Sequence, residues 1–455
     1  MPRHYWIDTS GCQMNERDSE TLAGICEKLG MTPCDDPADA RVAILNTCAV
    51  RDKPQERVYS RLGELRKLRR ENPDLVIVVA GCVAQIAADE LRQRGADIVV
   101  GPRCYDMLEP ALGDLGASAQ RNCTLTIGGD RHIAEGLPAR RASHLTAFVN
   151  VIYGCDNFCA YCIVPYARGR EQSRLPEDVL AEVERVVAAG AREVTLLGQN
   201  VNSYGRDLPG AIDFPDLLRR VDAVEGLDRL RFTTSHPKDM TRRLIDAMRD
   251  LPTVCEHLHL PLQAGSDRVL EAMGRGYSYE HFRTLIESAR QAIPDLAVTT
   301  DVMVGFPGET PSDFEATLKA FEELRFDQAF MFKYNDRPGT RAETMQPKVP
   351  EEEKQHRLEE LVALQNEIAR DINRELVGEV YEVLVEEPDP KSEGHVRGRT
   401  RQHKLMIFPG GEELIGRIVP VRAEKAFLWG WMGRQIDAQG CAGIKPKAVQ
   451  ESTAP

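Results

Sequence analysis

The chain lacks any segment that would carry it into a membrane. Met1 to Cys12 has neither a basic n-region nor an apolar h-region, and the longest apolar run, Leu75 to Ala84, is too short to span a bilayer. A cytoplasmic protein with no membrane partner is expected. Positive charge is not in surplus either: 58 Lys and Arg against 71 Asp and Glu leave a net charge of -13, which excludes a protein coated in basic surface for nucleic acid. Histidine is missing where zinc would need it, since none lies within zinc-finger spacing of Cys155, Cys159 and Cys162. Low-complexity sequence is confined to the tail, Ala438 to Pro455. What remains is ordinary globular material, 42% hydrophobic and 28% charged, and its 455 residues suit roughly three domains.

Against that background the twelve cysteines stand out. In a reducing compartment they point to metal or redox use rather than disulfides. Cys155, Cys159 and Cys162 form CxxxCxxC in GCDNFCAYC, just after a strand-like run, Ala147 to Tyr153. A second triplet is scattered: Cys12, Cys48 and Cys82 follow β-like runs at His4 to Thr9, Arg41 to Asn46 and Leu75 to Ala80. In a parallel α/β sheet such positions converge at the carboxyl edge, where ligands bind. A cubane iron-sulfur cluster takes four thiolates, so three leave one iron open for chemistry. A zinc knuckle with a remote fourth ligand competes for the compact set, and buried apolar cysteine competes for the scattered one.

The order of segments gives an α/β multidomain chain. Residues 1–116 alternate strands and helices, with a further strand at Asp97 to Gly101 and helices near Arg17 to Leu29 and Arg51 to Glu71, as in a doubly wound α/β domain. Residues 117–139 form a linker. Residues 140–372 hold six strand-helix repeats, a partial parallel (βα)6 barrel with a closing helix over Pro350 to Leu376, and its site is expected at the carboxyl rim of the strands. Residues 373–436 read as a small antiparallel β-barrel of a kind that binds RNA, and 437–455 as a flexible tail. Two basic stretches would neutralise phosphates or simply face water: the loop VRGRTRQHK, with Arg397, Arg399, Arg401 and Lys404, and the helical run Arg57, Arg61, Arg66, Lys67, Arg69 and Arg70. Trp429 and Trp431 would stack on bases or fill the core.

GCDNFCAYC resembles the radical S-adenosylmethionine (SAM) signature. TSGCQMNERDSE, LNTCAVR, AGCVAQ, IVPYARGRE, LLGQNVNSYG, LPLQAGSD, TDVMVGFPGET and RPGT resemble the radical SAM methylthiotransferases, and VRGRT with LIGRIVPV resembles that family's TRAM domain. The form GCQMN is similar to the branch that modifies isopentenyl-adenosine next to the anticodon of tRNA. Ala264 stands where the family usually has Ser, and Asn335 and Asp336 where Ser and Pro are common.

The resemblance implies an enzyme with two 4Fe-4S clusters and SAM. Cys155, Cys159 and Cys162 would hold the SAM-binding cluster, and Cys12, Cys48 and Cys82 the auxiliary cluster that carries the transferred sulfur. SAM cleavage to a 5'-deoxyadenosyl radical would open the inert carbon 2 of adenine, a task beyond side-chain acid-base chemistry. Gly198, Gln199 and Asn200 would meet the SAM amino group, with Gly305, Gly308 and Glu309 near its adenine. Phe158 and Tyr161 would shield the cluster or touch SAM, and Arg168 and Arg170 would reach phosphate or the SAM carboxylate. The partners implied are the anticodon stem-loop of tRNA and an external electron donor. Two alternatives remain at this point: methylthiolation of a ribosomal-protein aspartate, as in the sister branch with GCPKN, or a non-enzymatic RNA-binding metalloprotein. Cys26, Cys34, Cys104, Cys123, Cys255 and Cys441 receive no role.

Overall fold

A computed structural model describes residues 3–49, 52–113, 123–126 and 133–436, without the side chains of 52–55. The expected tail at 437–455, with Cys441, lies outside the described residues, as does much of the expected linker. The chain folds as two compact units: Met1–Glu182 with Leu197–Gln199 and Arg337–Thr340, and Val183–Leu196 with Asn200–Asp336 and Arg341–Pro455. This division differs from the expected domain limits, because the first barrel strand and the compact cysteine loop fold with the N-terminal sheet.

In the first unit, β1 (His4–Ser10), β2 (Thr32–Pro33), β3 (Val42–Thr47), β4 (Val76–Gly81), β5 (Ile98–Val100) and β6 (Cys123–Leu125) pair in parallel in the order β2-β1-β3-β4-β5-β6. VAILNT and VIVVAG are buried at every position, as a sheet covered on both faces requires. Val42, Ile44, Val76 and Val78 face Leu22 and Ile25 of α1 (Gln13–Lys28). The alternate residues Ala43, Leu45, Ile77 and Val79 face Val58, Leu62 and Leu65 of α2 (Asp52–Glu71). The domain is therefore doubly wound, and strand order reverses between β1 and β3, the crevice where such sheets take ligands. The short helices α3 (Cys82–Ile86), α4 (Ala88–Gln93) and α5 (Leu108–Leu112) complete the layers.

Next come β7 (Thr146–Asn150), β8 (Ile152–Tyr153), α6 (Val164–Arg168), β9 (Gln172–Ser173) and the start of α7 (Pro176–Ala188). One buried carboxylate ties these to the sheet domain. Glu182 Oε1 accepts from Arg17 on α1 at 2.9 Å and from Arg141 at 2.7 Å, and its Oε2 accepts from Arg174 at 2.6 Å. Burial opposes the charge, but the three guanidinium groups hold the carboxyl at a pKa of about 2.

The second unit carries the rest of the strand-helix series: β10 (Glu193–Leu197), α8 (Phe214–Asp222), β11 (Arg229–Thr233), α9 (Arg242–Asp250), β12 (His257–His259), α10 (Asp267–Met273), α11 (Tyr279–Ala292), β13 (Ala297–Val304), α12 (Pro311–Leu324) and β14 (Gln328–Lys333). β12, β13 and β14 pair in parallel, and Leu230 bridges Val254 in the same sense. Counted with β7 of the first unit, the series has the six strands expected. The closing helix is α13 (Glu351–Glu375).

After it, β15 (Val380–Pro388), β16 (His395–Thr400), β17 (Leu405–Pro409), β18 (Ile418–Phe427) and β19 (Gly430–Gln435) close into a barrel, β15-β16-β17-β19-β18. One pairing, β17 with β19, is parallel. Trp431 fills its core, stacked on Tyr381 and donating its indole N–H to the Asn373 carbonyl on α13. β16 seats on β11: Arg229 donates to the carbonyls of Arg399 and Glu382, and Arg231 to those of Arg401 and Thr400, at 2.7 to 2.8 Å. Among the described residues no helix is long and apolar enough to cross a membrane.

Candidate active site

The scattered cysteines meet at the carboxyl edge of three neighbouring strands. Cys12 leaves β1 as the N-cap of α1, Cys48 leaves β3, and Cys82 opens α3 after β4. The Cys48 N–H donates to the Ser10 carbonyl at 2.9 Å, tying the ends of β1 and β3 together. Asn46 and Asn15 brace them from behind: Asn46 donates to the Asn15 carbonyl and to Ser19 Oγ, each at 2.8 Å. Two glycines let the backbones approach. A Cβ on Gly11 would stand 2.9 Å from Cys48 Cβ, and Gly81 sits at φ +89 where a Cβ would press on the Thr47 backbone.

Cys48 and Cys82 are buried and Cys12 is at the edge. A hydrogen bond from Cys48, helped by the Arg168 charge and opposed by burial, draws the Cys12 thiol down to about 5, into the thiolate form a metal requires. Complete burial raises Cys82, with Arg168 acting against it. Two arginines thus attend this triad: Arg168, and Arg337 of RPGT, whose charge is felt by Cys48. Arg168 has a side chain only 3% exposed. Its Nη2 donates to Asp18 Oδ2 at 2.8 Å, while its Nη1 is buried with no partner. The sequence offered Arg168 to phosphate or the SAM carboxylate; the structure places it beside the first triad. Its position in IVPYARGRE, directly after the cysteine loop, was the available signal.

The compact triad lies on a loop pinched at its base by the β8-β9 pair. Cys155 N–H donates to the Gly169 carbonyl at 3.1 Å and Cys162 N–H to the Cys159 carbonyl at 3.0 Å. Asp156 clamps the far side, accepting from Arg170 Nε at 2.7 Å and from the Glu171 N–H at 3.0 Å. Burial lifts Cys155 to about 11. Phe158, at φ +44, holds an exposed ring edge-on to Tyr166, with Arg170 over its face.

Among the described residues no three His, Cys, Asp or Glu side chains converge on a single metal ion. A cubane puts each thiolate on a different iron, a wider triangle than one ion demands. The donor sets fit that group: three thiols each, no histidine, and no disulfide among the described cysteines. Most of the remaining described cysteines are otherwise engaged: Cys26 is core, pushed up to about 12 by burial, and Cys34 donates to the Tyr5 and Asp36 carbonyls. Arg168, which attends the first triad, follows the last cysteine of the second by six residues, at the end of α6.

In the second unit, the loops after β10 and β11 gather unsatisfied polar atoms. Val201 N–H donates to the Thr234 carbonyl at 2.9 Å, and around this junction Asn200 Oδ1, Asn202 Oδ1, Ser235 Oγ and His236 Nε2 are buried without partners. Buried polar atoms left unpaired need a partner such as water or a ligand's polar groups. Asn200 is held from its other end, donating to Asp239 Oδ2 at 2.7 Å. Burial and then the nearby Arg275, Lys238 and Arg206 charges depress His236 to about 2, so its imidazole is neutral; Nδ1 accepts from the Lys238 N–H, leaving Nε2 as the donor. The sequence reading missed Asn202, Ser235 and His236.

Other expected site residues fall differently. Gly198 lies in the first unit, where Gln199 turns its amide to Met14 on α1. Gly305 and Gly308 line the turn after β13, but Glu309 folds back, accepting from the Gly305 N–H and from Arg357 at 2.8 Å with 1% of its side chain exposed. Its carboxylate fixes the turn and does not face a ligand. The basic stretch at 396–404 is also a correction: it is largely strand β16, not a loop. Arg401 pairs with Glu256 at 2.7 Å and Lys404 with Asp327 at 2.6 Å, both mostly buried, so neither offers its charge to RNA. Arg397 and Arg399 keep 31% and 39% of their side chains exposed. Trp429 is exposed. In the α2 run, Arg57 and Arg61 pair with Asp8 and Arg69 with Asp97.

Comparison with known proteins shows the family. Family models match the radical SAM superfamily over residues 149–321, the uncharacterized family UPF0004 over 4–101 and the TRAM domain over 374–428. The chain is 46% identical over 431 residues to a tRNA-2-methylthio-N(6)-dimethylallyladenosine synthase of Carboxydothermus hydrogenoformans, covering 94% of this chain and 98% of that one. It belongs to the radical SAM methylthiotransferase family. A relative of the same name from Moorella thermoacetica is 48% identical over 436 residues, covering 95% and 98%. In fold, a radical SAM methyltransferase from Kitasatospora setae, TsrM, with cobalamin and a [4Fe-4S] cluster bound, matches at a TM-score of 0.56 and 15% identity over 75% of this chain and 74% of that one.

Proposed function

We propose that this family member is a tRNA methylthiotransferase of the cytoplasm, adding a methylthio group to carbon 2 of isopentenyl-adenosine beside the anticodon. The observation that carries the reading is the pairing of two three-thiol sites within one folded unit, joined by α6, in a chain so similar to synthases of that name. Clusters held with one iron open would supply the electron that cleaves SAM at Cys155, Cys159 and Cys162, and a seat for sulfur at Cys12, Cys48 and Cys82.

The chain's own residues then bind and orient. Asn200, Asn202, Ser235 and His236 present two acceptors, a hydroxyl and a neutral N–H, a set suited to the polar groups of SAM. Gly305 and Gly308, in the same unit, allow backbone to approach it closely. Asp156 and Arg170 fix the cysteine loop, and the exposed rings of Phe158 and Tyr166 cover its outer side. Arg397, Arg399 and Trp429 are the barrel's groups for RNA backbone and bases. An external one-electron donor completes the partner set.

The test is nucleoside mass spectrometry of tRNA from a host lacking its own methylthiolation enzyme, with and without this gene. Appearance of 2-methylthio-isopentenyl-adenosine, abolished by Cys12→Ala or Cys155→Ala, supports the reading. Unchanged tRNA beside a protein that still cleaves SAM would move the substrate to the ribosomal-protein aspartate.

A further inference from the structure

The buried Nη1 of Arg168 finds no oxygen or nitrogen acceptor in the packing of the described residues, and the Cys82 thiol is the one group beside it. Arg168 ends α6, whose Ile163 and Ala167 share a core with Cys82 and Val83, so that packing brings the guanidinium to the first triad. One side of the group is neutralised by Asp18 on α1, six residues beyond Cys12. The other amino group, Nη1 with its two N–H bonds, is left inside the protein with the Cys82 thiol alone beside it, an arrangement that is expensive unless something completes it. Asp18 already balances the charge, and the thiols of Cys12 and Cys82 lie within the field of the guanidinium, so a compact anion at the triad would complete its hydrogen bonding.

We propose that Arg168 is the anion-recognition group of the Cys12, Cys48 and Cys82 site, donating a hydrogen bond from Nη1 to a sulfur anion, hydrosulfide or a simple thiolate, that enters there. The inference rests on the reading of that triad as the sulfur-handling site. A guanidinium suits this anion because it stays charged when buried and its second edge is fixed by the Asp18 carboxylate, so the free N–H is aimed before the anion arrives. Arg168 is a positioning residue for sulfur, distinct from the thiols that hold metal.

The probe is sodium hydrosulfide, titrated anaerobically into the full-length protein carrying both clusters. S-adenosylhomocysteine in excess occupies the other open iron, and binding is read from the cluster's Mössbauer and absorption spectra. Variants are Arg168→Lys, which keeps charge but loses the fork, and Arg168→Gln with Asp18→Asn, which replaces the buried ion pair by a neutral one and avoids an uncompensated Asp18. The double variant should keep parental iron and bind hydrosulfide about ten- to hundredfold more weakly, the value of one hydrogen bond to a charged group. Parental affinity with parental iron would overturn the proposal. So would loss of iron from this site in both variants, which would make Arg168 a scaffold for the thiols. If only the double variant loses iron, Arg168→Lys must bind hydrosulfide several-fold more weakly or the proposal fails. The titration needs neither RNA nor turnover, so a protein that shows the loss yet makes no methylthio product keeps this inference and loses only the substrate assignment.

Discussion

Glu182→Gln should destabilise the unit that carries both cysteine triads. In the folded protein this carboxylate is 8% exposed and takes hydrogen bonds from Arg17, Arg141 and Arg174. Its fall from an ordinary 4.5 to about 2 corresponds to roughly 3 kcal/mol of preference for the charged form. The amide keeps the shape and loses the charge, leaving three guanidinium groups around a neutral acceptor, and breaking a buried charge cluster in this way costs about 3 to 5 kcal/mol. For a unit of this size each kcal/mol moves Tm by about 2 to 4 °C, so an anaerobic thermal scan should show a drop of roughly 6 to 12 °C or more, with earlier loss of the clusters' visible absorbance. The sign with pH follows from the depressed carboxyl: its contribution is complete above the unfolded value near 4.5 and fades as pH falls toward 2. The gap between parent and variant should therefore stay constant from about pH 6 to 8. Glu280→Gln, which removes a fully exposed partner of Arg283, should leave Tm unmoved. A shift for Glu182→Gln no larger than that control's would refute the claim that this node holds the unit together.

Arg231→Met should loosen the C-terminal barrel, because it removes the hydrogen bonds to the carbonyls of Thr400, the last residue of β16, and of Arg401 just after it, and leaves the buried Glu193 without its partner at 3.0 Å; faster hydrogen exchange in 395–400 is the readout. Cys26→Ala and Cys255→Ala should keep parental iron, whereas Cys12→Ala should lose about four irons per chain, one cluster's worth, by colorimetric assay. His236→Leu should weaken SAM binding about ten- to hundredfold in equilibrium dialysis, the value of a lost hydrogen bond to a charged group. Because burial holds the His236 imidazole at about 2, its contribution should not titrate between pH 6 and 8.

The strands that position the first triad were legible because buried parallel strands are written as unbroken apolar runs, and VAILNT and VIVVAG have little other reading. Cysteine immediately after such runs then implied one sheet edge. β16 was missed for the complementary reason: HVRGRT alternates arginine with small and β-branched residues, and its charge suggested a loop. Arg401 and Lys404 read as free cations because their acceptors, Glu256 and Asp327, lie far away in sequence. The same distance hid Arg168, whose partner Asp18 is 150 residues earlier. Asn202, Ser235 and His236 carry no local signature; only the junction of two barrel loops makes them a site.

The most direct test of the account is turnover with methyl-deuterated SAM and an anticodon stem-loop containing isopentenyl-adenosine, using the anaerobic two-cluster protein and a chemical reductant. The product nucleoside should carry sulfur and the deuterated methyl together. Cys155→Ala should neither cleave SAM nor form product, while Cys12→Ala should still release 5'-deoxyadenosine without methylthiolating the base. Methylthio product from Cys12→Ala, or no labelled nucleoside from a protein that holds both clusters and cleaves SAM, would contradict it.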